Sequence, residues 1–283
     1  MESTHAELAT ETREKEYALM EWLRRAAPIA IGFSGGVDSA YLAAAAVEAV
    51  GASNVVGFIG RSASYPESQW AVARSVAARV GLSVIELDTD ELNDPRYAAN
   101  PTNRCYFCKT ELWSRIVPAA QARGITTVVD GTNADDLSDH RPGAAAAREM
   151  GVRSPLADVG LTKAEIRSLS QIRDLPTWSQ PSAPCLSSRI PYGTAVTVER
   201  LRAVERAEEA LRALGIRGDL RVRHHGDLAR IEVGVDELAA LLDPDARRRL
   251  RDAVIAAGFS RVAIDLRGFR SGSLNVLGGV TAA

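Results

Sequence analysis

Ser34-Gly35-Gly36-Val37-Asp38-Ser39 lies between a short apolar run, Ile29-Ala30-Ile31-Gly32-Phe33, and an alanine-rich stretch over residues 40–50. The run follows Pro28 and reads as a buried strand. The stretch after the loop is made of good helix formers and stops at Gly51. The glycine pair therefore marks a strand-to-helix turn. There the first N–H groups of a helix have no intrahelical partner, and the helix dipole is positive. Glycines let the backbone come close to a ligand, and Ser34, Ser39 and the N–H groups can donate to phosphate oxygens. Asp38 is an acid in such a site, which fits a helix cap or a cation held between it and the phosphates. A tight capped turn would use some of the same residues. Serines on both sides of the glycines favour phosphate.

Outward from this loop, residues 55–59 and 82–87 are further apolar strands, and residues 66–80 between them read as a helix. Residues 125–129 form a fourth strand after a helix over about 109–123. Strands alternating with helices imply an α/β fold, a doubly wound parallel sheet covered on both faces. Ligands of such sheets lie beyond the carboxyl ends of the strands, so residues 60–65 and Asp130-Gly131-Thr132-Asn133-Ala134-Asp135-Asp136 are candidates to join the first loop. The second segment also suits an Asx-rich turn. Residues 88–104 are polar and irregular, and a loop that long is functional or mobile. Thr162 and Glu165 form a capping box for a helix ending near Ile172. Gln180-Pro181-Ser182-Ala183-Pro184 then breaks regular structure, placing a domain boundary that divides the chain into 1–180 and 181–283. The second part reads as a smaller α+β unit. Its elements are a helix capped by Thr197, a hairpin around His225-Gly226-Asp227, helices over 236–242 and 244–257, and a last strand over 261–266.

The totals set limits. At 283 residues and 46% hydrophobic content the chain suits a globular protein of about two domains. A net charge of −2 advertises no basic face for long nucleic acid. Lysine occurs only at 15, 109 and 163, against 31 arginines, so a single arginine carries little weight by itself. The N-terminus is acidic and polar, and no run reaches the length of a spanning helix, so no signal peptide, no membrane and a cytoplasmic location are expected. The expected partners are a small molecule and further copies of the chain.

Three cysteines, Cys105, Cys108 and Cys185, argue against a disulfide framework and for chemistry or metal. The first two have a spacing that can place two sulfurs on one metal, and the third follows the proline-rich break. A thioredoxin-like pair leaves Cys185 unexplained. A zinc site needs a fourth ligand from His5, His140, His224 or His225. A 4Fe–4S cluster on three thiolates would leave one iron open, and three cysteines without a joint role form the remaining reading.

The hexapeptide at 34–39 resembles the PP-loop of the ATP pyrophosphatase superfamily, which cleaves ATP to AMP and pyrophosphate while adenylating an acceptor. Asp130 to Asp136 is similar to a Gly-Thr-Asn-x-Asp-Asp segment of such enzymes. Further residues narrow the resemblance: Cys185-Leu186-Ser187-Ser188-Arg189-Ile190-Pro191-Tyr192-Gly193, Arg221-Val222-Arg223-His224-His225, Ala229-Arg230-Ile231-Glu232 and Asp265-Leu266-Arg267-Gly268-Phe269-Arg270-Ser271-Gly272. Together with the loop they resemble the LarE family, ATP-dependent sulfur transferases of nickel-pincer nucleotide cofactor synthesis. The resemblance implies adenylation of a carboxylate of pyridinium-3,5-biscarboxylic acid mononucleotide and its conversion to a thiocarboxylate. Family members use either one sacrificial cysteine, which becomes dehydroalanine, or three cysteines holding a 4Fe–4S cluster. Having all three, this chain resembles the cluster kind.

The resemblance implies ATP, Mg²⁺ and the cluster as cofactors, with Cys105, Cys108 and Cys185 as cluster ligands. Ser34, Gly35, Gly36 and Ser39 would cradle pyrophosphate, Asp38 and Asp135 would hold Mg²⁺, and Gly131 and Thr132 would touch the nucleotide. Arg189, Arg221, Arg223, Arg267 and Arg270 would bind the anionic acceptor. Glu208 and Glu232 match acidic positions associated with activity, Glu208 as a catalytic residue beside Cys185 and Asp38. Alternating arginines at 221 and 223 also suit a solvated strand face. A tRNA thiolase with three cysteines, or an adenine-nucleotide sensor without catalysis, are the other functions this pattern admits.

Overall fold

A computed structural model describes residues 9–137, 142–181, 184–241 and 243–270. The acidic N-terminus with His5, and also His140, Ser182-Ala183, Leu242 and Ser271-Gly272, lie outside the described residues. In chain order the elements are α1 (Thr10–Ala26), β1 (Ile29–Gly32), α2 (Val37–Val50), β2 (Val55–Arg61), α3 (Glu67–Val80), β3 (Ser83–Asp88), α4 (Pro95–Ala98), α5 (Arg104–Gln121), β4 (Thr127–Val129), α6 (Pro142–Glu149), α7 (Pro155–Asp158) and α8 (Lys163–Ile172). They continue with α9 (Val198–Ala213), β5 (Leu220–His225), β6 (Leu228–Val233), α10 (Val235–Leu241), α11 (Pro244–Ala256) and β7 (Arg261–Ile264).

The chain divides into two compact units. The first takes the described residues of Met1–Ser62, Glu67–Glu91 and Cys105–Ala183; the second takes Ala63–Pro66, Leu92–Arg104 and those of Pro184–Ala283.

Unit one holds a four-stranded sheet in the order β3-β2-β1-β4, parallel throughout. Ile29 stands beside Val55 on one side and Thr127 on the other. One face packs Ala30, Val56, Phe58 and Val128 against Trp113, Ile116 and Ala120 of α5. Gly32 permits this approach, since a Cβ there would lie 2.4 Å from the Trp113 ring. On the other side α2 packs on β1 and β2, with α1, α3 and α8 around it. The doubly wound parallel sheet of α/β type expected from the strand–helix alternation is present. The chain runs outward from β1 to β2 and β3, then returns to β4 on the far side of β1. That reversal puts the switch point at the carboxyl ends of β1 and β4, where such sheets bind ligands.

Two local differences from the sequence reading matter. Helix α5 starts at Arg104 rather than near residue 109, so Cys105 and Cys108 lie within its first two turns. Residues 88–104 are not irregular throughout: they contain a short turn of helix at Glu91–Asn93 and α4, whose N-cap Asp94 accepts the Arg96 N–H. Short polar segments with Pro at N1 and Asp at the N-cap are helix starts that a length rule for loops overlooks.

Unit two carries a three-stranded sheet, β5-β6-β7, with β5 and β6 antiparallel and β6 and β7 parallel. Helices α9 and α11 pack on each other and on this sheet. Leu201, Val204, Leu211, Val222, Ile231, Leu250 and Val254 are buried there. Among the described residues no helix is long and apolar enough to cross a membrane.

Candidate active site

The loop after β1 is shaped by glycine and serine. Gly35 has φ +68, and a Cβ there would stand 2.4 Å from the Cα of Ala73 on α3. Both facts demand glycine. Gly36 is the N-cap of α2, and no side chain caps that terminus. The serines instead organise the turn itself. Ser39 Oγ donates to the Gly36 carbonyl at 3.1 Å, accepts the Ser34 N–H at 3.3 Å and lies 3.2 Å from Ser34 Oγ. Gln69 holds the Ser34 carbonyl at 3.1 Å. A preformed turn with an uncapped, positive helix terminus suits an anion.

The loop after β4 meets this turn at the switch point. A Cβ on Gly131 would lie 3.0 Å from the Ser39 backbone nitrogen and 3.3 Å from Asp38 Cβ, so its glycine allows the two loops to touch. Asp130 is used within its own loop, accepting from the Thr132 N–H and hydroxyl and from Ser154. Asn133, 2% exposed, accepts the N–H groups of Asp135 and Asp136 and reaches across to Asp38 Oδ1 at 3.3 Å. The segment is thus an Asx-rich turn that also contacts the first loop.

Asp38 has a second partner. Lys163, the first residue of α8, places Nζ 2.5 Å from Asp38 Oδ2, and its backbone N–H donates to Asp135 Oδ2 at 2.8 Å. One lysine thereby joins the two carboxylates expected to hold Mg²⁺. Its helix is fixed from behind. Thr162 and Glu165 close the expected capping box, and Glu165 Oε1 also accepts from Thr12 at 3.1 Å and Lys15 at 3.0 Å on α1. Burial by itself would raise the Glu165 pKa. The Thr162 N–H, the Lys15 ammonium and the two threonine hydroxyls outweigh it and hold the carboxyl down at about 2.

In unit two, Cys185 precedes a short 3₁₀ helix, Leu186–Arg189, and is part-buried. Arg189, 4% exposed, forks onto Glu208 through Nε at 2.9 Å and Nη2 at 3.0 Å. Its Nη1 donates to the carbonyls of Pro184 at 2.6 Å and Cys185 at 3.1 Å. Glu208 also accepts the Val222 N–H at 2.9 Å, which ties α9 to β5.

The arginines of β5 are buried, not a solvated strand face: Arg221 is 6% and Arg223 5% exposed. Arg223 donates twice to Glu232 Oε2, at 3.0 and 2.8 Å, and once to the Ser188 carbonyl at 3.0 Å. Glu232 is fully buried and takes Arg230 on its other oxygen at 2.8 Å. Arg221 lies over the Phe269 ring, 4.9 Å from its centroid. Burial, with the Arg189 and Arg223 charges nearby, pushes its pKa down to about 10. Such a concentration of buried positive charge attracts an anion. Arg267 is largely exposed and pairs with Asp265 at 3.4 Å, and Arg270 is exposed. His224 and His225 both have lowered pKa values, first from burial and then from neighbouring arginines.

The structure thus gathers Ser34, Gly35, Gly36, Asp38, Ser39, Gly131 and Asp135 in unit one, with Thr132 one residue from Gly131. It gathers Arg189, Glu208, Arg221, Arg223 and Glu232 around the Cys185 segment in unit two. Cys105 is exposed and Cys108 part-buried on α5. Among the described residues no group of three or more His, Cys, Asp or Glu is assembled as a metal site. Lys163 and Asn133 escaped the sequence reading as site residues. For Lys163 a signal existed: a lysine kept in a chain that otherwise uses arginine, in the first turn of a capped helix.

Comparisons with known proteins give the chain several relatives. The NAD synthase family model matches residues 22–121, which contain the phosphate loop. An uncharacterised protein of Synechocystis is 43% identical over 245 residues, 87% of this chain and 91% of that one. The pyridinium-3,5-bisthiocarboxylic acid mononucleotide synthase of Lactiplantibacillus plantarum is 34% identical over 263 residues, 92% of this chain and 94% of the synthase. An uncharacterised protein of Methanocaldococcus jannaschii is 30% identical over 249 residues, 86% of this chain and 91% of its own.

Proposed function

The chain belongs to the LarE family of ATP-using sulfurtransferases, and from that premise we propose that it converts carboxylates of pyridinium-3,5-biscarboxylic acid mononucleotide to thiocarboxylates. One observation carries the reading: a phosphate loop with an uncapped helix terminus, in a chain that aligns over 92% of its length with a synthase of the bisthiocarboxylate product.

A carboxylate resists attack until one oxygen joins a good leaving group. Attack of that oxygen on the α-phosphorus of ATP forms an acyl adenylate and releases pyrophosphate. A sulfur nucleophile then bonds to the acyl carbon, and AMP departs with the electrons of the C–O bond. In this reading Ser34, Gly35, Gly36 and Ser39 hold the departing pyrophosphate, and Gly131 and Thr132 border the nucleotide. Asp38 and Asp135 would hold Mg²⁺, which would neutralise phosphate charge, and Lys163, paired with Asp38 here, would then meet a phosphate, since both cations compete for one carboxylate. Arg221 supplies buried positive charge for the acceptor, with Arg267 and Arg270 exposed to meet it. Arg223 and Glu232 set that charge in place, and Glu208 holds Arg189 beside Cys185.

The donor set suits a cluster: three thiols, soft ligands for iron, with Cys105 and Cys108 three residues apart in the first two turns of a helix. Cys105, Cys108 and Cys185 would hold a 4Fe–4S cluster, which would supply a transferable sulfide at its open iron. Anaerobically purified, reconstituted protein is expected to contain iron and acid-labile sulfide in cluster stoichiometry. With ATP, Mg²⁺ and the biscarboxylate it should release pyrophosphate and AMP and yield a product in which sulfur replaces oxygen. No pyrophosphate would overturn the reading. Loss of the elements of hydrogen sulfide from the Cys185 peptide after one turnover would replace the cluster with a sacrificial cysteine.

A further inference from the structure

The segment that carries Cys185 has little regular structure of its own, yet much of it is buried: Leu186, Ser187, Arg189 and Ile190 are each at most 4% exposed. Buried backbone carbonyls outside helices and sheets need donors from elsewhere. In unit two side chains supply many of them, beside the Ser188, Ile190 and Thr194 N–H groups that donate to the Cys185, Ser187 and Pro191 carbonyls. Carbonyls of Pro184 and Cys185 accept from Arg189, that of Ser187 accepts from Arg104 at 3.0 Å, and that of Ser188 accepts from Arg223. Carbonyls of Ile190, Pro191 and Thr194 accept from Asn100 at 3.2, 2.8 and 2.9 Å. The Asn100 amide has two protons for three acceptors, so one contact is shared.

Asn100 and Arg104 belong to the short stretch after α4, and neither was a candidate site residue. Asn100 is fully buried and has φ +57, a left-handed conformation that asparagine tolerates better than most residues. That conformation turns its amide toward the three carbonyls while its own carbonyl accepts the Gly193 N–H at 2.9 Å. Arg104, 4% exposed, links the two grips: Nη1 donates both to Asn100 Oδ1 and to the Ser187 carbonyl. Tyr97 adds a third tie, its hydroxyl 2.6 Å from Ser187 Oγ with both residues buried. The Val196 N–H completes the set on the Ala98 carbonyl at 2.8 Å.

We infer that Asn100 and Arg104, supported by Tyr97, are positioning residues that hold the Cys185 segment in one conformation for sulfur delivery. The inference rests on the proposed role of Cys185 in that step. A loop fixed at so many carbonyls presents its thiol in one place, and transfer to an acyl carbon demands this, because a misplacement of about 1 Å can cost about a hundredfold in rate.

The experiment uses the full chain with Arg104→Lys, Asn100→Gly and Tyr97→Phe. Arg104→Lys keeps the charge and loses the fork, while Asn100→Gly keeps the left-handed backbone and loses the amide. Two readouts are taken: the rate of Cys185 alkylation by iodoacetamide in reduced, cluster-free protein, followed by peptide mass, and turnover split into pyrophosphate release and thiocarboxylate formation. Positioning predicts faster alkylation of Cys185 by several-fold in the first two variants. It also predicts thiocarboxylate formation lower by about tenfold or more, with pyrophosphate release and KM for ATP within about twofold of wild type, because the phosphate loop lies on other elements. Tyr97→Phe should show the same pattern at smaller size. Wild-type alkylation rates in both principal variants would overturn the inference, as would a parallel fall of both half-reactions with the melting temperature. Should Asn100→Gly fail to fold, Arg104→Lys and Tyr97→Phe decide. If wild-type protein makes no thiocarboxylate, the functional reading fails, and the alkylation rates alone judge the positioning claim.

Discussion

The two loops to which the proposed chemistry is assigned treat their backbones in opposite ways. At Ser34–Ser39 the α2 terminus has no side-chain cap, and the serines only shape the turn. At Cys185 the carbonyls are occupied by arginine and asparagine side chains. The first loop leaves donors for a ligand that arrives from outside. The second spends its polar groups on itself, so what it offers is a side chain in a fixed place. Binding a phosphate and aiming a thiol need different loops, and glycine serves one as buried arginine serves the other.

Breaking the second loop should have the largest effect. Arg189→Ala takes the buried guanidinium from part-buried Glu208 and one donor from each of the Pro184 and Cys185 carbonyls, and loss of one member of a largely buried ion pair costs about 3–5 kcal/mol. Denaturant midpoints should fall accordingly, and an unchanged midpoint would show that the segment does not depend on the fork. Gly35→Ala attacks the first loop. The clash with the Ala73 backbone and the positive φ should cost about 2–4 kcal/mol and abolish ATP-dependent pyrophosphate release. Retained release at wild-type rate would mean that the loop adapts.

Lys163→Met separates ligand binding from folding. KM for ATP should rise by about tenfold or more with a melting temperature near wild type, since a partly exposed ion pair stabilises little. Lys163→Arg should recover part of the affinity. Equal KM values in all three proteins would remove Lys163 from the phosphate site. The smallest effect is expected behind it. Glu165, held at about 2 in the folded chain against an ordinary 4.5, contributes stability that is complete above the ordinary value. That contribution fades as pH falls from about 4.5 toward 2. Glu165→Gln should therefore cost about 1–2 kcal/mol at neutral pH and progressively less below pH 4.5. A cost that does not shrink on acidification would assign the anchor to packing instead of charge.

Much of the first unit was legible because its signals are local. The strand, the glycine turn and the helix follow one another within about two dozen residues, and the strand–helix alternation repeats, so the parallel sheet and its phosphate loop follow from order alone. The second loop after β4 was legible as a pattern, but its contact with Asp38 depends on the switch point, which order does not specify. In the second unit the arginines were visible by their spacing on β5, while their burial was not: an Arg-rich chain gives the same letters to a solvated face and to a buried ion network. Asn100 and Arg104 were invisible as positioning residues, because the carbonyls they hold lie 83 to 94 positions along the chain.

Residue order alone determined the strand-to-helix phosphate loop, the α/β class, the three cysteines and the resemblance that names the chemistry. Each rests on neighbours in the chain or on residue types present at all. Tertiary structure decided which polar groups meet: Lys163 on Asp38, Arg189 on Glu208, Asn100 on the carbonyls after Cys185. The physical reason is that a hydrogen bond is set by distance and burial in space, and residues far apart in sequence acquire both only when the sheet and its helices have packed.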